Sequence, residues 1–229
     1  MLRLLILDLD GTLAPYDAAA TVENIQRLKE IENSSVKICL CSGKPVFYSC
    51  AFMRQIGLKD PILIGENGAE IQFGVHLPPR WFYHAEYSEK AYKSLRFFKK
   101  EIKKAIPSIW FQPNQTELSP FPKSRKEFAI IKDIIDKNQD KIQDIHIFEY
   151  FDCFDFIPVG INKGSALKLL SDTLHIPPEE MISIGDSQND FPMFDYTAKS
   201  YGIKLKKQHP KAKNVDTLDE ALDEIIQQL

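Results

Sequence analysis

The sequence predicts an α/β protein whose parallel-sheet core is interrupted by a second section of α+β character. Three observations carry this expectation: apolar runs that stop abruptly on acids, hydroxyls and glycines, an amphipathic helix between the first two of them, and a change of texture from Pro78 that reverses near Ile157. Runs that are apolar on both faces suit strands buried within a parallel sheet. At 229 residues and 44% hydrophobic composition, the chain can bury one substantial core with a smaller satellite.

Residues 4–7 form the first expected strand, which breaks at once into Asp8-Leu9-Asp10-Gly11-Thr12. Parallel α/β sheets bind ligands outside the carboxyl ends of their strands, so Asp8 and Asp10 stand where a site would be. Taken alone, the stretch fits a solvated Asp-Gly turn equally well. Residues 18–32 carry Val22, Ile25, Leu28 and Ile31 three apart, the spacing of one helix face. A second strand over 36–41 stops at Ser42-Gly43-Lys44-Pro45, and the strand, helix, strand order implies a right-handed crossover and a parallel pair. A helix over 46–56 closed by Gly57, a strand over 62–64, the loop Gly65-Glu66-Asn67-Gly68 and a hairpin arm over 69–73 follow.

From Pro78 the chain is rich in aromatics and lysines. It offers a helix over 88–106, a proline-punctuated loop over 107–122, a helix over 124–141 and two strands over 145–150 and 153–157. With elements of its own, this section is a separate α+β domain, so the expected division is a core of 1–77 with 158–229 and an insert of 78–157. The lysines of 90–104 fall on the solvated face of a helix whose apolar stripe is Ala91, Leu95, Phe98, Ile102 and Ala105. Trp81, Phe82, Trp110 and Phe111 are expected to fill the core of the insert, and Lys123 and Arg125 are its candidate substrate cations. Afterwards come a helix over 164–174, a strand over 181–184 ending in Gly185-Asp186-Ser187-Gln188-Asn189-Asp190, a short strand over 201–205 and a terminal helix over 218–229. His209 reads as a loop residue.

A net charge of −3 removes the usual electrostatic case for nucleic acid or an acidic membrane and leaves small molecules as the expected partners. The opening apolar run is too short for a membrane span or a signal-peptide core, so a cytoplasmic protein is expected. Cys39, Cys41, Cys50 and Cys153 match neither a zinc nor a disulfide spacing and read as small buried hydrophobes. Oligomeric state is not encoded in any of these features.

Three strand-end loops hold the chemistry: Asp8 to Thr12, Ser42 to Lys44, and Gly185 to Asp190. Were their strands neighbours, carboxylates would crowd one sheet edge, repel one another and call for a cation. Mg²⁺, a hard ion that combines one or two carboxylates with substrate phosphate, answers that need. A hydroxyl, a glycine amide and a lysine then suit phosphate oxygens, and the implied chemistry is phosphoryl transfer.

At these positions the sequence resembles the haloacid dehalogenase-like superfamily, and within it the Cof-like sugar-phosphate phosphatases. Asp8-Leu9-Asp10-Gly11-Thr12 is similar to the family's first motif, Ser42 to its second, Lys163 in Ile161-Asn162-Lys163-Gly164 to its third, and Gly185-Asp186 with Asn189-Asp190 to its fourth. Glu66-Asn67-Gly68-Ala69 also resembles Cof-like members. The resemblance implies a Rossmann-like core with a mobile type-II cap in the position of the insert. It implies Asp8 as nucleophile, forming an aspartyl-phosphate, and Asp10 as the acid that protonates the leaving oxygen and later takes a proton from water. It implies Mg²⁺ held by Asp8, the Asp10 carbonyl and Asp186, with Asp190 supporting that shell, and phosphoryl oxygens held by Ser42, Gly43 and Lys163, with Asn189 and Thr12 behind them. Lys44 departs from the Arg that many members carry there, a point charge in place of a fork, and with Asn67 it is a candidate substrate contact. The expected substrate is a small phosphorylated metabolite, a sugar phosphate first. A phosphosugar mutase, suggested by Leu118-Ser119-Pro120, and a non-catalytic phosphate-binding module are the alternatives; intact Asp8 and Asp10 speak against the second.

Overall fold

A computed structural model describes residues 1–16 and 18–229. In chain order the first elements are β1 (Leu4–Leu7), α1 (Val22–Asn33), β2 (Lys37–Cys41), α2 (Val46–Ile56), β3 (Ile62–Gly65), β4 (Glu70–Phe73) and β5 (Phe82–His84). Then come α3 (Glu89–Ala105), β6 (Trp110–Phe111), β7 (Pro120–Phe121), α4 (Arg125–Lys137), β8 (Ile145–Glu149) and β9 (Phe154–Pro158). The chain closes with α5 (Lys163–Leu174), β10 (Met181–Gly185), α6 (Phe191–Tyr196), β11 (Lys199–Ile203), β12 (Ala212–Val215) and α7 (Leu218–Ile226).

The fold is α/β with a Rossmann-like core. Its sheet runs β12-β11-β10-β1-β2-β3-β4-β5, parallel from β12 to β3 and antiparallel at β4 and β5. Alternation along β1 divides the core into two layers. Leu5 and Leu7 pack with Leu28, Ile31, Met53 and Leu222 on one face, while Leu4 and Ile6 pack with Leu167, Leu170 and Phe194 on the other. In register, Leu7 lies opposite Leu40 on β2 and Ile184 on β10, so the loops that follow β1, β2 and β10 leave the sheet side by side. The neighbourhood of the three strand ends is therefore a consequence of strand order and register.

Two compact units emerge, Met1–His84 with Asn162–Leu229 and Ala85–Ile161. The division expected from texture was 1–77 with 158–229 and 78–157; the observed boundary falls later because Pro78-Pro79 interrupts the chain without ending the sheet. After the prolines β5 pairs antiparallel with β4, Ile71 facing Tyr83, and Trp81 stacks on Phe73 at 4.6 Å. Trp81 and Phe82 thus belong to the first unit, not to the core of the insert. The second unit has its own core, in which α3 and α4 bring Ala91, Leu95, Phe98, Ile102 and Ile131 against Phe154 and Phe156. Ile106 takes the buried place expected of Ala105, which is exposed, and Trp110 lies half exposed, edge-on to Phe121 at 5.2 Å.

Other boundaries moved for local reasons. α1 begins at Val22 because the Thr21 hydroxyl caps it, accepting from the Asn24 amide at 3.2 Å. β12 carries too little apolar signal, Ala-Lys-Asn-Val, to be read as a strand, and it forms by pairing with β11. His209 does sit in a loop, yet it is buried between the rings of Phe191 and Phe194. All four cysteines are buried thiols. Among the described residues no helix is long and apolar enough to cross a membrane.

Candidate active site

Asp8 extends β1 by one residue, its amide donating to the Ile184 carbonyl at 2.9 Å, so its side chain stands at the sheet edge yet is only 6% exposed. The chain then turns sharply, with Gly11 donating to the Ala14 carbonyl at 2.8 Å. Gly11 is in the left-handed region at φ +84°, and a Cβ there would overlap the Asp186 carboxylate. Glycine is thus required twice over, for the turn and for the approach of Asp186.

Opposite stands the start of α5. Asn162 caps that helix, its side chain accepting from the Ser165 amide at 2.9 Å while Ser165 Oγ accepts from the Asn162 amide at 3.0 Å. Lys163 follows as the first helical residue and is wholly buried. Its ammonium donates to Asp8 Oδ1 at 2.6 Å and to Asp190 Oδ1 at 2.5 Å. The second oxygen of Asp190 accepts from the Asp186 and Ser187 amides at 2.9 and 3.0 Å. Gly185 makes room for this, since a Cβ there would overlap Asp190.

Carboxylate oxygens of Asp8, Asp186 and Asp190 lie within 4.8 Å of one another. Burial, the largest influence, pushes the Asp8 carboxyl up to about 8 against the attraction of Lys163, with repulsion from Asp190 and Asp186 adding to it. Asp186 is raised to about 7, again by burial first and Asp190 next. For Lys163 burial opposes the charge, but Asp190 and Asp8 outweigh it and hold the ammonium well above its ordinary value. Three carboxylates against one ammonium leave two negative charges in a buried space. Protons can take up that excess, as the raised values of Asp8 and Asp186 express, and so can one divalent cation, which the all-oxygen donor set suits.

The second loop faces this cluster across β1. Ser42 is 2% exposed, and its hydroxyl accepts from the Lys44 amide at 3.1 Å. Lys44 Nζ lies 3.6 Å from Asp10 Oδ2, the ion pair that joins the second loop to the first. Asn189 Nδ2 donates to Asn67 Oδ1 at 3.2 Å, and Asn189 Oδ1 accepts from Ser187 Oγ at 2.5 Å. Thr12 is 6% exposed, and its hydroxyl has no hydrogen-bond partner among the described residues. A buried, unsatisfied hydroxyl in this position suits a bound anion or water.

Asp8, Asp10, Thr12, Ser42, Gly43, Lys44, Asn67, Lys163, Asp186, Asn189 and Asp190 therefore all belong to the first unit, on the loops after β1, β2, β3 and β10 and the start of α5. Lys123 and Arg125 are exposed in the second unit, at the start of α4, where the Lys123 amide donates to Glu127 at 2.6 Å. Ser187 was not among the expected site residues. Its signal was present in the spacing Ser187 to Asp190, a capping box that turns Asp190 inward. Glu70 was missed as well: it is wholly buried and accepts from the Val46 amide at 3.0 Å, anchoring the start of α2 behind Ser42.

A sequence model of the family described as sucrose-6F-phosphate phosphohydrolase matches residues 1–227. A phosphoglycolate phosphatase of Methanosarcina acetivorans is 27% identical over 212 residues, covering 89% of this chain and 83% of that protein. An HMP-PP phosphatase of Serratia proteamaculans is 24% identical, covering 94% and 88%. In fold the chain is similar to TM0651 from Thermotoga maritima, with a TM-score of 0.76 at 15% identity over 100% of this chain and 98% of that one. It is also similar to a haloacid dehalogenase-like hydrolase from B. subtilis, with a TM-score of 0.73 at 20% identity over 100% of both chains.

Proposed function

Because this chain belongs to the sucrose-6F-phosphate phosphohydrolase family, within the Cof-like branch of the haloacid dehalogenase-like superfamily, and is a phosphatase, we propose that it hydrolyses a small phosphorylated metabolite with Mg²⁺ through an aspartyl-phosphate on Asp8. The observation that carries this reading is the clustering of Asp8, Asp186 and Asp190, two of which, Asp8 and Asp190, pair with the buried ammonium of Lys163. A divalent cation held by Asp8, the Asp10 carbonyl and Asp186, with Asp190 behind them, would supply positive charge to the phosphoryl oxygens and neutralise the acidic cluster.

An Asp8 carboxylate oxygen attacks phosphorus, the ester P–O bond breaks, and Asp10 delivers its proton to the departing alkoxide. Water then attacks phosphorus, Asp10 takes its proton, and the Asp8–P bond breaks to release inorganic phosphate. Lys163, joined to Asp8 Oδ1, orients the attacking carboxylate and offsets its charge. Ser42, the Gly43 amide and the unsatisfied hydroxyl of Thr12 hold phosphoryl oxygens, with Asn189 beside them. Lys44, next to Asp10, meets the outer part of the substrate as a point charge. Choice of substrate is assigned to the second unit, with Lys123 and Arg125 as its cations. Buried thiols support a reducing, cytoplasmic setting.

A sugar phosphate is the first substrate class. A phosphorylated small acid is the second, favoured by the phosphoglycolate phosphatases among the similar proteins. Phosphate release from a panel of phosphorylated sugars, nucleotides and small acids, with Mg²⁺ or with chelator, tests the reading. Release that needs Mg²⁺ and falls by about 10³-fold or more in Asp8→Asn is expected. A folded protein that releases no phosphate from the panel, or that isomerises a sugar phosphate faster than it frees phosphate, would overturn it.

A further inference from the structure

We infer that the turn Glu66–Gly68 is a bracket that fixes the separate loops of the site to one another, with Asn67 as its positioning residue. The turn touches three of the four other segments that carry the site. Towards the loop after β2, the Asn67 amide donates to the Ser42 carbonyl at 3.1 Å and the Glu66 amide to the Lys44 carbonyl at 3.0 Å. Towards the loop after β10, Asn67 Oδ1 accepts from Asn189 Nδ2 at 3.2 Å. Towards α5, Gly68 lies so close to Asn162, the cap that precedes Lys163, that a Cβ at Gly68 would overlap the Asn162 carbonyl oxygen.

From Asn67 a continuous series of hydrogen bonds reaches Asp8. Asn189, held by Asn67, accepts from Ser187 Oγ; the Ser187 amide donates to Asp190; and Lys163 donates to both Asp190 and Asp8. The Ser42 end and the Asp8 end of this series come from different strands, and Asn67 joins the loop after β2, through its backbone amide, to the loop after β10, through its side chain. Backbone conformation points the same way. Glu66, Asn67 and Gly68 have φ of +47°, +53° and +116°, three successive residues in a region that side chains disfavour. Glu66 and Asn67 are also 0% and 2% exposed. A buried turn kept in that conformation by its surroundings marks a position where geometry matters more than local stability.

Beside the substrate contact expected of it, Asn67 thus has a positioning role. It acts through Asn189 and Ser42 by holding phosphate-binding groups at a fixed distance from Asp8, a role that rests on the phosphatase reading for its catalytic consequence but not for its structural one. Asn67→Gly separates the two, because glycine accepts φ +53° without strain while deleting the amide. In the full-length protein, Asn67→Gly should keep or raise the melting temperature. It should also speed amide hydrogen exchange in 185–190, whose link is the deleted side chain, and lower kcat by about 10–100-fold with KM changed less than about threefold. Asn67→Asp, which keeps an acceptor for Asn189, should restore slow exchange in 185–190. Faster exchange confined to 66–69, or an unchanged kcat in Asn67→Gly, would overturn the bracket. If the wild type releases no phosphate while exchange in 185–190 still rises in Asn67→Gly, the phosphatase reading falls and the bracket stands.

Discussion

Lys163 sets the electrostatics of the site because it is the one ammonium that meets both Asp8 and Asp190, and its charge leaves the cluster short by two. The consequence is a pH dependence with a definite sign. Asp8 and Asp186 ordinarily titrate at 3.8 but are raised to about 8 and about 7 in the folded protein. Between those limits the folded chain binds more protons than the unfolded one, so their contribution is fully present below about pH 4 and is lost as pH rises through 7 and 8. Without a divalent cation, the melting temperature should fall between pH 5 and 8 by this route, and saturating Mg²⁺ should flatten the fall. Asp8→Asn should raise cation-free stability at pH 8 relative to wild type, as thermal melts at both pH values would show. At this scale the sequence was informative about residue types and positions: Asp8, Ser42, Lys163, Asp186 and Asp190 all stand on the first unit's strand-end loops and helix start. Partnership was less legible. That Lys163 would be completely buried and shared by two acids, or that Asn67 would bind Asn189, depends on distances across 27 to 155 residues of chain, which no local pattern contains.

Elements with strong local chemistry were the most legible. α2 runs over Val46–Ile56 as its periodicity and Gly57 imply, and Gly57 closes it in the left-handed region at φ +76°. A Cβ at that position would meet only Lys29 Nζ, at 3.7 Å, so the cost of Gly57→Ala is conformational. About 1 kcal/mol of stability should be lost, a melting temperature lower by about 2–4 °C, with turnover unchanged. β5 and β12 were illegible for opposite reasons. β5 follows a proline pair and aromatics that resemble the insert, and only its pairing with β4 assigns it to the first unit. β12 is short and polar and exists through β11. In both cases tertiary pairing outweighs local preference.

Across the whole molecule, each unit has a hydrophobic core of its own, so damage to one need not dissolve the other. Phe98 is 0% exposed and packs on Phe156 at 5.1 Å, with no part in the acidic cluster. Phe98→Ala should cost about 3–5 kcal/mol. In hydrogen exchange the loss should appear first over 85–161, while 1–84 and 162–229 keep their protection and, by calorimetry, bind the proposed Mg²⁺ as the wild type does. Uniform loss across both units would show that they unfold as one.

The most direct test of Asp8 chemistry is rapid quench of the enzyme with a turned-over phosphomonoester and Mg²⁺, followed by mass spectrometry of the peptide that carries Asp8. A transient phosphoryl group on Asp8, absent from Asp8→Asn and from enzyme in chelator, is the expected result. Undiminished phosphate release by Asp8→Asn, or a phosphoryl group carried by another residue, would contradict it.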